Sequence, residues 1–113
     1  MKEVNIEKNI GQFINAANKF DVKGALELFT ADAVIEDVSV GEKFNKIAGV
    51  RKYLEQFFVG YNTVTKLESV ELLSNQHAIA HVDFTGDFGH ETGSLKVSIN
   101  ATGLIIAIDA SLN

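Results

Sequence analysis

Asp37 closes the run Ala33-Val34-Ile35-Glu36-Asp37, in which small and branched apolar residues alternate with polar ones. In a strand, residues two apart share a face, so Ala33, Ile35 and Asp37 point one way and Val34, Glu36 and Val38 the other. A carboxyl group on an apolar face is a candidate for proton-transfer chemistry. Burial disfavours the charged form of such a group and brings its titration toward neutrality, where it can take and return a proton. The pattern sets no Lys or Arg beside Asp37, so desolvation is expected to dominate there and Asp37→Asn to stabilise the fold at neutral pH. The competing use of Asp37 is to cap the turn that follows the strand.

Other polar side chains carry weaker signals. His77, His81, Asp83 and Asp87 share one parity of a second alternating run. Two histidines four residues apart on a strand stand about 13 Å apart, too far to hold one ion, so no metal site is expected and they decorate an outer face. His90 beside Glu91 reads as a solvated turn residue. Tyr53 and Tyr61 fall on an amphipathic segment, where packing is the ordinary role of a Tyr ring. Gly86, Gly89 and Gly93 are not followed by Lys-Ser or Lys-Thr and form no dinucleotide fingerprint, and no Gly-x-Ser-x-Gly elbow occurs, so no cofactor is expected.

Helical and extended periods set out the elements that must position these groups. Ile6, Ile10, Phe13, Ile14 and Ala17 recur at helical spacing and predict a helix from about Val4 to Lys19. Behind Asp21 as N-cap, Val22, Ala25, Leu26 and Phe29 predict a second helix ending near Thr30. Val50, Leu54, Phe57, Phe58 and Tyr61 predict a third, ending at Gly60. Between the second and third, 33–40 and 44–47 form a candidate hairpin. From Thr63 the period changes to two, giving strands at about 63–73, 76–86, 92–99 and 104–112 separated by turn residues. Leu95, Val97 and Ile99 form one inward face, and Leu104, Ile106, Ile108, Ala110 and Leu112 another. Ile79, Ile105, Ala107 and Asp109 are expected outward. Helices followed by short consecutive strands imply an α+β domain with helices on one face of a mostly antiparallel sheet.

The chain has 113 residues, 46% of them hydrophobic and 22% charged, which is the balance of one globular domain spanning 1–113. A net charge of -5 gives no attraction to phosphate backbones or anionic lipid, so neither nucleic acid nor membrane is an expected partner. No Cys is present, which excludes disulfides and thiolate chemistry and suits a cytoplasmic location.

The run Asn15 to Asp37, NAANKFDVKGALELFTADAVIED, resembles the nuclear transport factor two-like superfamily in its ketosteroid-isomerase and polyketide-cyclase (SnoaL-like) branch. The likeness lies in Asn15-Ala16-Ala17-Asn18, the Leu28-Phe29 pair, Ala31-Asp32-Ala33, the Glu36-Asp37 strand end and the Ile47-Ala48-Gly49-Val50-Arg51 entry to the third helix. The resemblance implies a cone-shaped, cystatin-like fold, three N-terminal helices packed on a curved, mainly antiparallel sheet of about six strands, with an apolar pocket at the open end. It aligns Asp37 with the general base of ketosteroid isomerases. It places the donor Tyr of those enzymes at Phe13 and their second carboxyl near Leu95, neither of which can donate a hydrogen bond, so the steroid-isomerase mechanism lacks its oxyanion donors here.

Expected pocket residues are Phe13 and Ala17 on the first helix, Phe29 and Ile35 ahead of Asp37, and Phe57 on the third helix. Val82, Phe84, Val97, Ile108 and Ala110 are expected from the later strands. The resulting expectation is a pocket for a small apolar carbonyl-type molecule, with isomerase-, cyclase- or dehydratase-type acid–base conversion by Asp37 as its chemistry. The alternative is a non-catalytic dimerisation or interaction domain whose pocket is packed core. A homodimer through the outer sheet face is expected in either case, since that face mixes apolar with polar residues and the resemblance implies dimers.

Overall fold

The computed structural model describes residues 5–113. Helix α1 spans Ile6–Asn18, and its N-cap Asn5 accepts a hydrogen bond from the Lys8 N–H at 3.2 Å. Its apolar stripe, Ile6, Ile10, Phe13, Ile14 and Ala17, is buried throughout. Each such Ile or Phe contributes roughly 1.5–3 kcal/mol by leaving water. Phe20, at φ 56°, ends the helix: its N–H bonds to Ala17 O and the Asp21 N–H to Ala16 O, closing a Schellman turn.

Helix α2 is a short turn, Val22–Leu26, capped by Asp21 accepting from the Gly24 N–H at 3.0 Å. It stops before Thr30 because Phe29 already belongs to strand β1, Phe29–Asp37, and pairs with Ile105. Strand β2, Glu42–Asn45, returns antiparallel to β1. Helix α3, Lys46–Tyr53, continues directly into a π-helical segment, Leu54–Val59. There the Gly60 N–H reaches Glu55 O at 2.9 Å, and the Thr63 N–H reaches Phe58 O at 2.8 Å, both spanning five residues. Such wider turns concentrate at functional sites.

Strands β3 (Val64–Leu72), β4 (His77–Gly86), β5 (Gly89–Ile99) and β6 (Ile105–Leu112) complete one six-stranded sheet of order β2-β1-β6-β5-β4-β3. Only the β1–β6 pairing is parallel. The fold is thus the α+β arrangement expected, with helices and the inner sheet face sharing a core in which Phe13 packs edge-on against Phe29 at 5.6 Å and Phe58 at 6.3 Å. Among the described residues, no helix is long and apolar enough to cross a membrane.

Two local features depart from the sequence expectation. The stretch 86–93 is not a long turn, because Gly86 pairs with Gly89 and leaves a two-residue connection, with Gly89 at φ 106°. In β6 the register slips by one residue, Ser98 pairing with Ala107 and Ile99 with Ile105, so Ile106 bulges out. Parity inverts across the bulge: Ile105, expected outward, is fully buried, and Ile106, expected inward, is 39% exposed. Ile108 and Ala110, beyond it, keep the inward orientation.

Candidate functional site

The strand ends at one end of the sheet and the π-helical segment leave between them an open cavity of about 300 Å³. Asp37, Ser39 and Val40 line it from the end of β1 and its turn, and Tyr53, Phe57, Phe58 and Tyr61 from α3 and its continuation. Thr63, Phe84, Phe88, Glu91 and Leu112 complete the wall. Tyr53, Phe57 and Tyr61 follow at four-residue steps. Their rings stack in a row, 5.1 Å from Tyr53 to Phe57 and 6.0 Å from Phe57 to Tyr61, along the cavity side of the widened helix. The Thr63 hydroxyl donates to Phe57 O at 2.6 Å, satisfying one carbonyl of the widened turn.

Asp37 is buried at 7% exposure, and it is not bare. The Tyr53 hydroxyl donates to Oδ2 at 2.6 Å, while the Ser39 N–H and hydroxyl donate to Oδ1 at 2.9 and 2.5 Å. This corrects the expectation of a carboxyl group enclosed only by apolar neighbours. The Ser39 N–H contact is an Asx turn. Asp37 therefore caps its turn and faces the cavity at once, Oδ1 serving the backbone and Oδ2 the site. An ionised carboxylate offers about four acceptor positions, of which three are filled. The fourth has no hydrogen-bond partner among the described residues. Burial above all, then the hydrogen bond to Asp37 and its charge, push the Tyr53 phenol well above its ordinary 10.0, so Tyr53 stays a donor.

Of the pocket residues expected from sequence, Phe57 and Phe84 line the cavity beside Asp37. Phe13, Phe29, Ile35, Val82, Val97, Ile108 and Ala110 are buried in the core instead, away from the cavity wall. Ala17 borders a separate crevice of about 10 Å³, too small for any ligand. The reason is depth. Alternation distinguishes inside from outside, but not the filled half of the cone from the hollow half; the Phe13 and Phe29 rings fill the former, and Phe58 stands at the boundary between the two.

The histidines stand apart from the cavity. His77 Nδ1 lies 3.0 Å from the Ser74 hydroxyl, and His81 Nε2 lies 3.7 Å from Glu71. His90, in β5 rather than in a loop, places Nε2 at 2.6 Å from Asp83 Oδ1, which holds the imidazole above its ordinary 6.5. Among the described residues, no three His, Asp or Glu side chains converge as a metal site would require.

Tyr53, Ser39, Tyr61 and Glu91 are the site residues that sequence reasoning passed over. Glu91 had a usable signal, since it shares the inward parity of Leu95 and Val97 and pairs with Phe84. Tyr53 had a weaker one, its place among Val50, Leu54 and Phe57 on the buried side of α3.

Solved structures with this fold include the Mycobacterium tuberculosis protein RV0760c in complex with estradiol-17beta-hemisuccinate, 18% identical, at a TM-score of 0.82 over 93% of this chain and 91% of that one. A cystatin-like protein from Methylobium petroleophilum PM1 is 17% identical at a TM-score of 0.84, over 99% of this chain and 78% of that one. SalBIII, an epoxide hydrolase/cyclase-like enzyme of pyran ring formation in the polyether salinomycin, is 15% identical at 0.83, over 95% and 89%. Among curated protein sequences none matches. The model of the SnoaL-like domain matches residues 10–106, nearly the whole length of the sheet and its helices, and the chain belongs to that family.

Proposed function

We propose that the cavity binds a small, largely apolar molecule carrying a carbonyl or similarly weakly acidic group, and that Asp37 acts on it as general base. The observation that carries this reading is the cavity of about 300 Å³ reaching Asp37, a volume in the range of ligand sites rather than packing defects. A packed pocket, which the interaction-domain alternative needs, does not fit that volume. Tyr53 and Ser39 hold the carboxylate so that one Oδ2 lone pair faces the ligand. The hydroxyls of Ser39, Tyr53 and Thr63 are committed to intramolecular acceptors. Tyr61, lining the same wall, makes no such bond among the described residues. The related structures holding a steroid ester and forming a pyran ring support a cyclic apolar ligand.

Titration of 2-tetralone, followed by NMR on the Phe57 and Tyr61 ring signals, tests the binding half of the proposal. Saturable shifts confined to these rings and Phe84 are the expected result. Shifts absent at millimolar ketone, or scattered over the outer sheet face, would overturn it. For assembly, the exposed Ile106 and half-buried Ile79 and Ala107 among Lys96 and Asp109 support a homodimer through the outer face. The lack of Cys supports a cytoplasmic setting.

A further inference from the structure

Among the described residues, the charges lining the cavity all have one sign. Phe84 and Glu91 sit opposite each other in the β4–β5 ladder, so their side chains leave the sheet on the same face, and both line the cavity. Asp37 lies deeper, at 7% exposure. Among the described residues, no Lys, Arg or His lines the cavity. His90 leaves β5 on the opposite face and is engaged by Asp83 at 2.6 Å. Lys43, next to the buried Phe44 in β2, likewise points away from the core side.

The mouth adds aromatic faces to these carboxylates. Tyr61 and Phe88 are each 44% exposed, with ring centroids 6.2 Å apart and planes at 75°. The face of each ring carries the negative end of its quadrupole. An anion entering here would lose its hydration and meet no counter-charge. A neutral molecule gains apolar burial only, whereas a cation gains burial, ring faces and carboxylates together.

We propose that the ligand carries a positive charge, as an amine or quaternary ammonium, held at the mouth by Glu91 beside the Tyr61–Phe88 ring pair while its apolar body extends toward Asp37. The inference rests on the reading of this cavity as a ligand site and adds the ligand's charge to it.

Three probes of similar size test it on the intact chain: phenyltrimethylammonium, its uncharged isostere tert-butylbenzene, and phenylacetate. Affinities are read from NMR shifts of Tyr61 and Phe57. The cation is expected to bind about tenfold more tightly than the isostere, and phenylacetate most weakly. Glu91→Gln, an isosteric change at an exposed position, should cut the cation-to-isostere ratio to about threefold or less. Equal or tighter binding of tert-butylbenzene, or a ratio unmoved by Glu91→Gln, overturns the charge assignment and leaves the cavity reading standing. If none of the three probes shifts the cavity signals, the cavity reading falls with it.

Discussion

Tyr53→Phe removes one oxygen from the floor of the site and nothing else. The lost bond is 2.6 Å long, runs to a carboxylate, and lies between side chains 6% and 7% exposed. A hydrogen bond to a charged group is worth about 1.5–3 kcal/mol net. Ser39 still serves Oδ1, and the cavity admits water to Oδ2, so the lower end applies: about 1.5–2 kcal/mol at pH 7. In a chain of this length that corresponds to a Tm lower by roughly 6–10 °C.

The same variant has a pH signature. Because the folded-state pKa of Tyr53 is raised above the ordinary 10.0, the native state holds its proton where the unfolded chain releases it. Its stabilising effect is complete below pH 10 and declines as pH climbs toward the folded value. The gap between wild type and Tyr53→Phe should therefore narrow by about 1.4 kcal/mol at pH 11. Urea unfolding of both proteins at pH 7, 10 and 11 measures it, with the other alkaline titrations cancelling in the difference. A gap under about 0.5 kcal/mol at pH 7, or one constant to pH 11, would refute the reasoning.

Other substitutions have equally definite outcomes. Asp37→Asn exchanges three bonds to a carboxylate for weaker neutral ones and should cost about 1 kcal/mol in urea unfolding, the reverse of the gain expected for an unpartnered carboxyl. His90 should titrate above 6.5 by NMR and fall back in Asp83→Asn; the stability it adds is present below pH 6.5 and disappears as pH rises through the folded value. Gly93→Ala would bring a Cβ to 2.5 Å from the Ser111 carbonyl oxygen and should destabilise by about 1–3 kcal/mol, read as a lowered Tm. Sedimentation of wild type at micromolar concentration should give twice the chain mass, and Ile106→Asp should give the monomer; a monomeric wild type would end the dimer proposal.

What could be read in the sequence was whatever depends on near neighbours. The stripe from Ile6 to Ala17 repeats within one helix, and the alternation from Ala33 to Asp37 repeats within one strand, so α1 and the inward turn of Asp37 were both legible. The bulge at Ile106 was not, because it answers to the pairing partners Ser98 and Ile99 in another strand. The π-helical turn at Leu54–Val59 was hidden for a related reason: its apolar residues have ordinary helical spacing, which carries no mark of the wider bonds. Asp37 and Tyr53 lie 16 residues apart on different elements, so their bond needed the fold. Depth along the cone was equally invisible, and it is depth that separates Phe84 at the cavity from Val82 in the core.

Proton exchange at carbon reads out Asp37 as a base without any coupled step. With 2-tetralone in D2O, a general base at the cavity should replace the hydrogens beside the carbonyl by deuterium, which NMR follows as loss of their signal. Exchange should run well above the buffer rate with wild type and return to the buffer rate with Asp37→Asn. Equal rates for wild type, Asp37→Asn and buffer, with the ketone bound at Phe57 and Tyr61, would contradict Asp37 as the base.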